Sequence, residues 1–169
     1  ALAELHAPEA IATEIAAYRV HPALLDACLQ VLGATFPAEA AANSEFTAGY
    51  VWRNAGVAPC LPGGYPALTL KDAKGAIVGV FVDEGFDMRS LPVAPPGAAI
   101  PVSRGEKSLN QASRPPISYR MPPAHIVKPG AYDVYISVGT RTGTPQIALP
   151  IAGDDGQRRY KLGRLSVTP

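Results

Sequence analysis

Short apolar segments separated by turn residues fill the chain from Phe46 onward, and this pattern constrains the fold more than any other feature. Each segment has the length of a strand, and Gly, Pro, Asn or Asp lies between most of them. The seven segments are residues 46–54, 67–71, 76–83, 117–121, 131–139, 146–150 and 159–167. The 18 prolines and 16 glycines, with only 17% charged residues, disfavour a helical bundle. The pattern therefore predicts a mainly β protein, an antiparallel β-sandwich of about seven strands.

Local patterns add detail to this sandwich. Apolar residues alternate with others from Tyr132 to Val138, which predicts a strand with one buried face. Lys71-Asp72-Ala73-Lys74-Gly75 and Asp154-Asp155-Gly156 are typical of hairpin turns. Residues 92–123 are rich in proline and have little periodicity outside 117–121, so they predict a long loop or insertion. Such a loop serves binding or is disordered, and the sequence favours neither.

The N-terminal part of the chain has the pattern of a helix and not of strands. Pro22 suits a first helical position and Gly33 suits the residue after a helix, so we expect a buried helix over 22–32. On that helix only Asp26 and Gln30 share a narrow polar face. Pairs of polar residues four apart are usually structural, but a buried carboxylate can also serve chemistry. The domain prediction is a helical segment over 1–43, followed by the sandwich over 44–169.

Charge and composition argue against several classes of function. The formal net charge is +1 and the isoelectric point is near 8.0, so we expect neither nucleic acid nor an anionic membrane as a partner. No apolar run has the length of a membrane span, and the N-terminus does not resemble a signal peptide. Cys28 and Cys60 form no metal-binding or redox motif. We therefore predict no cofactor and no metal.

The segment from Tyr18 to Gln30 resembles the helix of the second repeat of polyketide synthase dehydratase domains, which have the double hot-dog fold. The likeness extends over 18–42 and makes Asp26 the catalytic acid, with Gln30 four residues later. In that family a His removes the proton α to a thioester while the Asp helps the β-hydroxyl leave. The family's His lies in a His, Gly, Pro motif that this chain lacks at each of its histidines: His6, His21 and His125. The resemblance thus implies an incomplete lyase acting on acyl-carrier-bound β-hydroxyacyl thioesters with a His supplied elsewhere.

A second resemblance covers residues 46–167. The segments that carry it are Tyr50-Val-Trp-Arg-Asn-Ala-Gly-Val-Ala-Pro59, Tyr65-Pro-Ala-Leu-Thr-Leu-Lys-Asp72, Pro129-Gly-Ala-Tyr-Asp-Val-Tyr-Ile-Ser137 and Leu162-Gly-Arg-Leu165. In this order they resemble the C-terminal β-sandwich domain of a bacterial glycoside-hydrolase-like family of unknown function. The resemblance implies an accessory module beside a carbohydrate-active domain and supplies no catalytic residue.

Five side chains offer the groups that bind sugars: Trp52, Asn54, Tyr65, Asp83 and Asp87. Aromatic rings stack on sugar faces, while amides and carboxylates bond the hydroxyls. Each has a structural alternative as well. A lone Trp in a sandwich is usually a core residue, and Asn54-Ala55-Gly56 is typical of a turn. Asp83, Glu84 and Asp87 form an acidic corner with oxygen ligands for calcium, but without the spacing of a calcium loop.

Three hypotheses follow for the whole chain. The favoured one is a non-catalytic β-sandwich accessory module that contacts a glycan or a neighbouring catalytic domain, placed outside the cytoplasm. The alternative is the dehydratase fragment, with Asp26 and Gln30 as its site, placed in the cytoplasm. The third is an unusual fusion near residues 42–46, where the pattern changes, which would leave the predicted helix beside the sandwich.

Overall fold

The chain builds two β-sheets from ten strands within the residues that this computed structural model describes, which are 29–54, 56, 58–93 and 111–169. The strands are β1 (Leu29–Thr35), β2 (Glu39–Ala41), β3 (Glu45–Asn54), β4 (Tyr65–Lys71), β5 (Ile77–Val82), β6 (Gln111–Ser113), β7 (Ile117–Arg120), β8 (Gly130–Gly139), β9 (Pro145–Ile147) and β10 (Tyr160–Thr168). One turn of 3₁₀ helix spans Met88–Ser90. The predicted mainly β fold is confirmed.

The smaller sheet has four strands, and β3 lies at its centre. Its order is β1-β3-β6, and β7 also pairs with β3. All three pairings are antiparallel, with Thr35 opposite Gly49 and Ala48 opposite Ile117. A Cβ at Gly49 would lie 2.9 Å from the Thr35 hydroxyl oxygen, so a larger residue here would displace the Thr35 side chain.

The larger sheet has six strands in the order β2-β10-β8-β4-β5, with β9 paired to β8. Its pairings are antiparallel except for the parallel pairing of β10 with β2. Ala67 on β4 lies opposite Ser137 on β8, and Tyr160 on β10 lies opposite Ile136. Neighbouring side chains on one face of this sheet therefore come from segments far apart in the sequence.

Side chains from the inner faces of both sheets form a single core. On β3 the buried residues include Tyr50 and Trp52, and on β8 they include Val134 and Ile136. The rings of Phe46 in one sheet and Phe81 in the other meet edge to face at 5.0 Å. Buried and half-buried residues alternate from Tyr132 to Ile136 as predicted, whereas residues 136–139 of β8 are all buried.

All seven predicted strands are present, as β3, β4, β5, β7, β8, β9 and β10, with ends that differ by a few residues. The hairpin turn after β4 is also confirmed. Asp72 accepts hydrogen bonds from the amides of Lys74 and Ala76, and Gly75 has a φ of +81°. Within the predicted loop 92–123, β6 and β7 pair with β3, whereas residues 94–110 lie outside the described part of the chain.

The prediction of a helix over 22–32 is wrong for its last four residues, because Leu29 to Leu32 lie in β1. Leu29 is buried and Gln30 points to the other face of the strand, so the period is two and not 3.6. Pairing with β3 satisfies the backbone of this apolar run as well as a helix would. Residues 22–28, with Asp26, lie outside the described residues.

Strands β1 and β2 precede the boundary predicted at residues 43 and 44, yet both belong to the sheets. β1 pairs with β3, and β2 pairs with β10 at the far end of the chain. From Leu29 onward the N-terminal segment is thus part of the sandwich. Among the described residues, no helix is both long enough and apolar enough to span a membrane.

Candidate functional site

Of the two site residues of the dehydratase hypothesis, Asp26 and Gln30, the described part of the chain includes only Gln30. The Gln30 amide oxygen accepts a hydrogen bond from Arg53 Nε at 2.9 Å across β1 and β3. His125 is exposed in the turn before β8, in another part of the chain. Asp26 lies outside the described residues, so its position relative to Gln30 stays a prediction.

Two of the candidate sugar-binding residues are inside the sandwich. Trp52 has no exposed surface, and its ring lies 6.4 Å from that of Tyr50. Asn54, which is also buried, donates to the carbonyl of Ala58 and accepts from the amide of Gly56, both at 2.8 Å. These contacts match the structural alternatives of a core Trp and a turn-forming Asn, so neither side chain is available to a sugar at the surface.

The other three candidates, Tyr65, Asp83 and Asp87, lie at one end of the sandwich with Glu84 and three arginines. We call this group the arginine corner: Tyr65, Asp83, Glu84, Asp87, Arg89, Arg114 and Arg141. It joins the start of β4, the loop after β5 and the turn after β8. Each carboxylate pairs with a different arginine, Asp83 with Arg114, Glu84 with Arg141 and Asp87 with Arg89.

Asp83 forms the buried base of the arginine corner. Its side chain is 3% exposed, accepts from the Gly85 amide at 3.1 Å and pairs with Arg114 Nε at 3.3 Å. The Arg114 guanidinium also lies 4.9 Å from the ring centre of Phe86, where a cation is attracted by the ring. Asp83 therefore holds the loop in place and is not itself exposed to a ligand.

A pair of buried tyrosines lies close to Asp83. The Tyr50 and Tyr119 hydroxyls are 3.1 Å apart. Burial raises the pKa of both phenols, and the Asp83 charge raises it further, so both stay protonated at ordinary pH. A pair of neutral phenols in the core fixes the packing between β3 and β7 and offers no nucleophile.

Asp87 fixes the loop that follows β5. It accepts from the Arg89 amide at the start of the 3₁₀ helix at 2.9 Å and from the Gly64 amide at 3.3 Å. The Arg89 side chain donates to it as well, and this bond is the main cause that lowers the pKa of Asp87 to about 2. Asp87 is therefore ionised, and Arg89 is held beside Tyr65 with its side chain 61% exposed.

Tyr65 lies between two arginines. The Arg141 guanidinium lies 4.5 Å from the centre of the Tyr65 ring, and the Arg89 guanidinium interacts with the Tyr65 hydroxyl. Arg141 is 62% exposed, and its pairing with the equally exposed Glu84 has a length of 3.3 Å. This part of the corner thus presents planar groups, hydrogen-bond donors and a carboxylate to solvent.

The same pairing argues against the calcium alternative. Asp83, Glu84 and Asp87 direct oxygen atoms at arginines, which leaves no shared point for an ion. In the described ranges, no group of three His, Cys, Asp or Glu residues is arranged to hold a metal.

A shallow groove lies on the outer face of the smaller sheet, where Gly49 leaves room beside Thr35 and Pro116. Its two halves have volumes of about 220 and 240 Å³. Arg114 is its charged lining residue, and the Nε of that side chain is already directed at Asp83. Because Arg114 already pairs with Asp83, the groove offers a sugar fewer polar groups than the arginine corner does.

Comparison with known families adds one match, at the N-terminus. The model of the polyketide synthase dehydratase N-terminal domain matches residues 1–51, less than a third of the chain. This match supports the dehydratase resemblance of this end of the chain. The model describes the N-terminal domain of the dehydratase, whereas the segment from Tyr18 to Gln30 resembles the helix of the second repeat. No curated protein matches the chain.

Two solved structures are loosely similar to the described sandwich. An alkylpurine DNA glycosylase from Pseudomonas fluorescens, bound to DNA with an abasic-site analogue, shares 11% identity at a TM-score of 0.47, over 85% of this chain but only 31% of the glycosylase. The CARDB domain of a Pyrococcus furiosus protein, in complex with metal ions, shares 12% identity at a TM-score of 0.38. The match covers 83% of this chain and 92% of the CARDB domain chain. Similarity at this level supports no inference about function. Neither structure concerns a glycoside-hydrolase-like family, and that resemblance stays a prediction.

Sequence reasoning identified the acidic residues of the corner but missed the arginines. Arg89 follows Asp87 by two residues, a spacing that a search for loop-capping pairs would have found. Arg114 and Arg141 lie 31 and 57 residues from their partners. No local signal connects such residues, since only the strand pairing brings them together.

Proposed function

We propose that the sandwich is a non-catalytic accessory module that contacts a neutral glycan at the arginine corner. The observation that carries the proposal is the stack of the exposed Arg141 guanidinium on the half-buried Tyr65 ring, beside the Arg89 and Asp87 pair. Flat surfaces of this kind pack against the apolar faces of sugar rings.

The polar groups around the stack suit sugar hydroxyls. A hydroxyl both donates and accepts, so an arginine next to a carboxylate can bond two neighbouring hydroxyls of one sugar. Arg89 with Asp87 and Arg141 with Glu84 supply two such pairs. Because the three arginines of the corner are matched by three carboxylates, the site has no excess charge to attract an acidic glycan.

Electrophoresis through gels that contain a soluble neutral polysaccharide tests the proposal. Xylan, hydroxyethylcellulose and glycol chitin are suitable probes. We expect at least one of them to retard the protein, and Arg141→Ala to reduce that retardation. Arg164→Ala is the matched control, because Arg164 is an exposed arginine that pairs with Asp133 on β8, outside the arginine corner. Retardation by none of the probes, or equal loss in both variants, contradicts the proposal.

The match of residues 1–51 to the dehydratase model supports a second candidate function. In that proposal Asp26 and Gln30 act on an acyl-carrier-bound β-hydroxyacyl thioester together with a His from another chain. Hydration of a crotonyl thioester by the protein, lost in Asp26→Asn and kept in Asp72→Asn, would support it. Asp72 is a suitable control because it lies in the hairpin turn after β4. Absence of hydration when a His-bearing partner chain is added contradicts it.

A further inference from the structure

The outer face of the larger sheet carries a buried polar cluster that neither proposed function uses. It consists of Thr69 and Lys71 on β4, Ser137 on β8, and Asp155 and Arg159 in the hairpin that leads to β10. Because Tyr160 pairs with Ile136, Arg159 lies beside Ser137 on one face of the sheet. Thr69 lies on the same face, since its hydroxyl accepts from Arg159 Nε.

The charges in this cluster do not balance. Lys71 donates to one carboxylate oxygen of Asp155, and the other oxygen accepts from the amides of Gln157 and Arg159. Burial opposes ionisation of Asp155, but the bonds from Lys71 and from the amides of Gln157 and Arg159 together outweigh it and lower the pKa. The cluster thus holds two cations and one carboxylate, and within the described part of the chain the Arg159 guanidinium is paired with no carboxylate. A buried charge without a counter-ion costs free energy, so this excess positive charge favours a bound anion.

The guanidinium of Arg159 has more N–H donors than hydrogen-bond partners. Arg159 is 8% exposed. Its guanidinium donates to three neutral oxygens, those of Thr69, Gln157 and Gly143, at 3.3 to 3.4 Å. These bonds are long, and an arginine has five N–H donors. The neighbouring Ser137 hydroxyl is 1% exposed and has no hydrogen-bond partner within the described part of the chain.

We propose that Arg159 and Ser137 bind a small inorganic anion of halide size on the outer face of the larger sheet. Because both side chains are buried, we assign the site to a compact monatomic anion and not to a tetrahedral oxyanion. The anion would complete the coordination of Arg159, which links the 153–159 hairpin to the turn after β8 through the Gly143 carbonyl. Binding of this kind stabilises the folded chain, and the stabilisation grows with the logarithm of the anion concentration above the Kd.

Thermal unfolding of the whole chain in sodium chloride and in sodium gluconate, at equal ionic strength, tests the proposal. We expect a midpoint that rises with the logarithm of the chloride concentration, while gluconate has little effect. Ser137→Ala should weaken the apparent chloride affinity about tenfold, the loss that one hydrogen bond to an ion represents. The control is Ser118→Ala, an exposed serine on β7, which should leave the chloride dependence unchanged.

Crystals grown in sodium bromide give an answer that does not depend on a variant. An anomalous bromide peak within hydrogen-bonding range of Arg159 Nη1 or Nη2 and Ser137 Oγ is the expected result. Equal stabilisation by chloride and gluconate, or a water molecule at this position in bromide, would overturn the proposal. Stronger stabilisation by sulfate or phosphate than by chloride would also overturn the assigned size.

Discussion

Arginines and carboxylates meet in two parts of this sandwich, with different consequences. In the arginine corner three arginines face three carboxylates, and two of the arginines are more than half exposed. On the outer face of the larger sheet, Lys71 pairs with Asp155 while the Arg159 guanidinium bonds only neutral oxygens, and all three side chains are nearly buried. Exposed, balanced pairs contribute little to stability and can exchange partners with a ligand. A buried, unbalanced group is part of the fold and is costly to disturb.

The largest effect is expected at Asp155. Asp155→Asn leaves Lys71 buried without its carboxylate, so we expect the free energy of unfolding to fall by about 3–5 kcal/mol. Urea denaturation measures this change. Asp154→Asn is the matched control, because the exposed Asp154 only accepts amide bonds in the same turn and asparagine can replace it there. If both variants lose the same free energy of unfolding, the buried pair of Asp155 with Lys71 does not account for the loss.

The loss of stability expected at Asp83 lies between that of Asp155 and that of the exposed Glu84 and Arg141 pair. It is as buried as Asp155, but its partner Arg114 is 25% exposed and can regain water. We therefore expect Asp83→Asn to lower the free energy of unfolding by about 2 kcal/mol in urea denaturation. A cost as large as that of Asp155→Asn would remove the difference between the two regions.

Acid should weaken both regions over the same range of pH. The pKa values of Asp87 and Asp155 are lowered in the folded protein, to about 2 for Asp87 against an ordinary 3.8. A carboxyl group with a lowered pKa stabilises the fold above its unfolded value, and this stability is lost as pH falls toward the folded value. The melting temperature should thus fall between about pH 4 and pH 2. Asp87→Asn should make the fall shallower, and an unchanged curve would contradict the role given to Arg89.

The smallest effect on stability is expected at the exposed pair. Glu84 and Arg141 are each more than 60% exposed, so Arg141→Ala should change the free energy of unfolding by no more than about 0.5 kcal/mol. Chemical denaturation gives this value. A loss above about 1 kcal/mol would mean that Arg141 supports the fold and would weaken any binding defect as evidence for a sugar site.

Strand periodicity made most of the fold predictable, because burial on one face leaves a period of two in the sequence. Tyr132 to Val138 shows this most clearly, and the seven predicted strands are all present. The failure at Leu29 to Leu32 has a physical cause. A short apolar run fits a buried helix or a strand equally well, and pairing with β3 decides between them.

The candidate site was less predictable than the fold. The carboxylates of Asp83, Glu84 and Asp87 lie close together in the sequence, so the acidic corner was visible. Their partners Arg114 and Arg141 come from other parts of the chain, and only the sheet topology brings them to this end. The same holds for Arg159 and Ser137, which become neighbours through the pairing of β10 with β8.

The most direct test of the account is to map sugar binding on the intact protein by NMR. Backbone amide shifts would be followed while millimolar xylo-, cello- or chito-oligosaccharides are added. We expect the shifted amides to cluster around Tyr65, Arg89 and Arg141 for at least one of the sugars. Shifts centred on another surface, or none with any of the three, would contradict the claim that the arginine corner is a glycan-binding site.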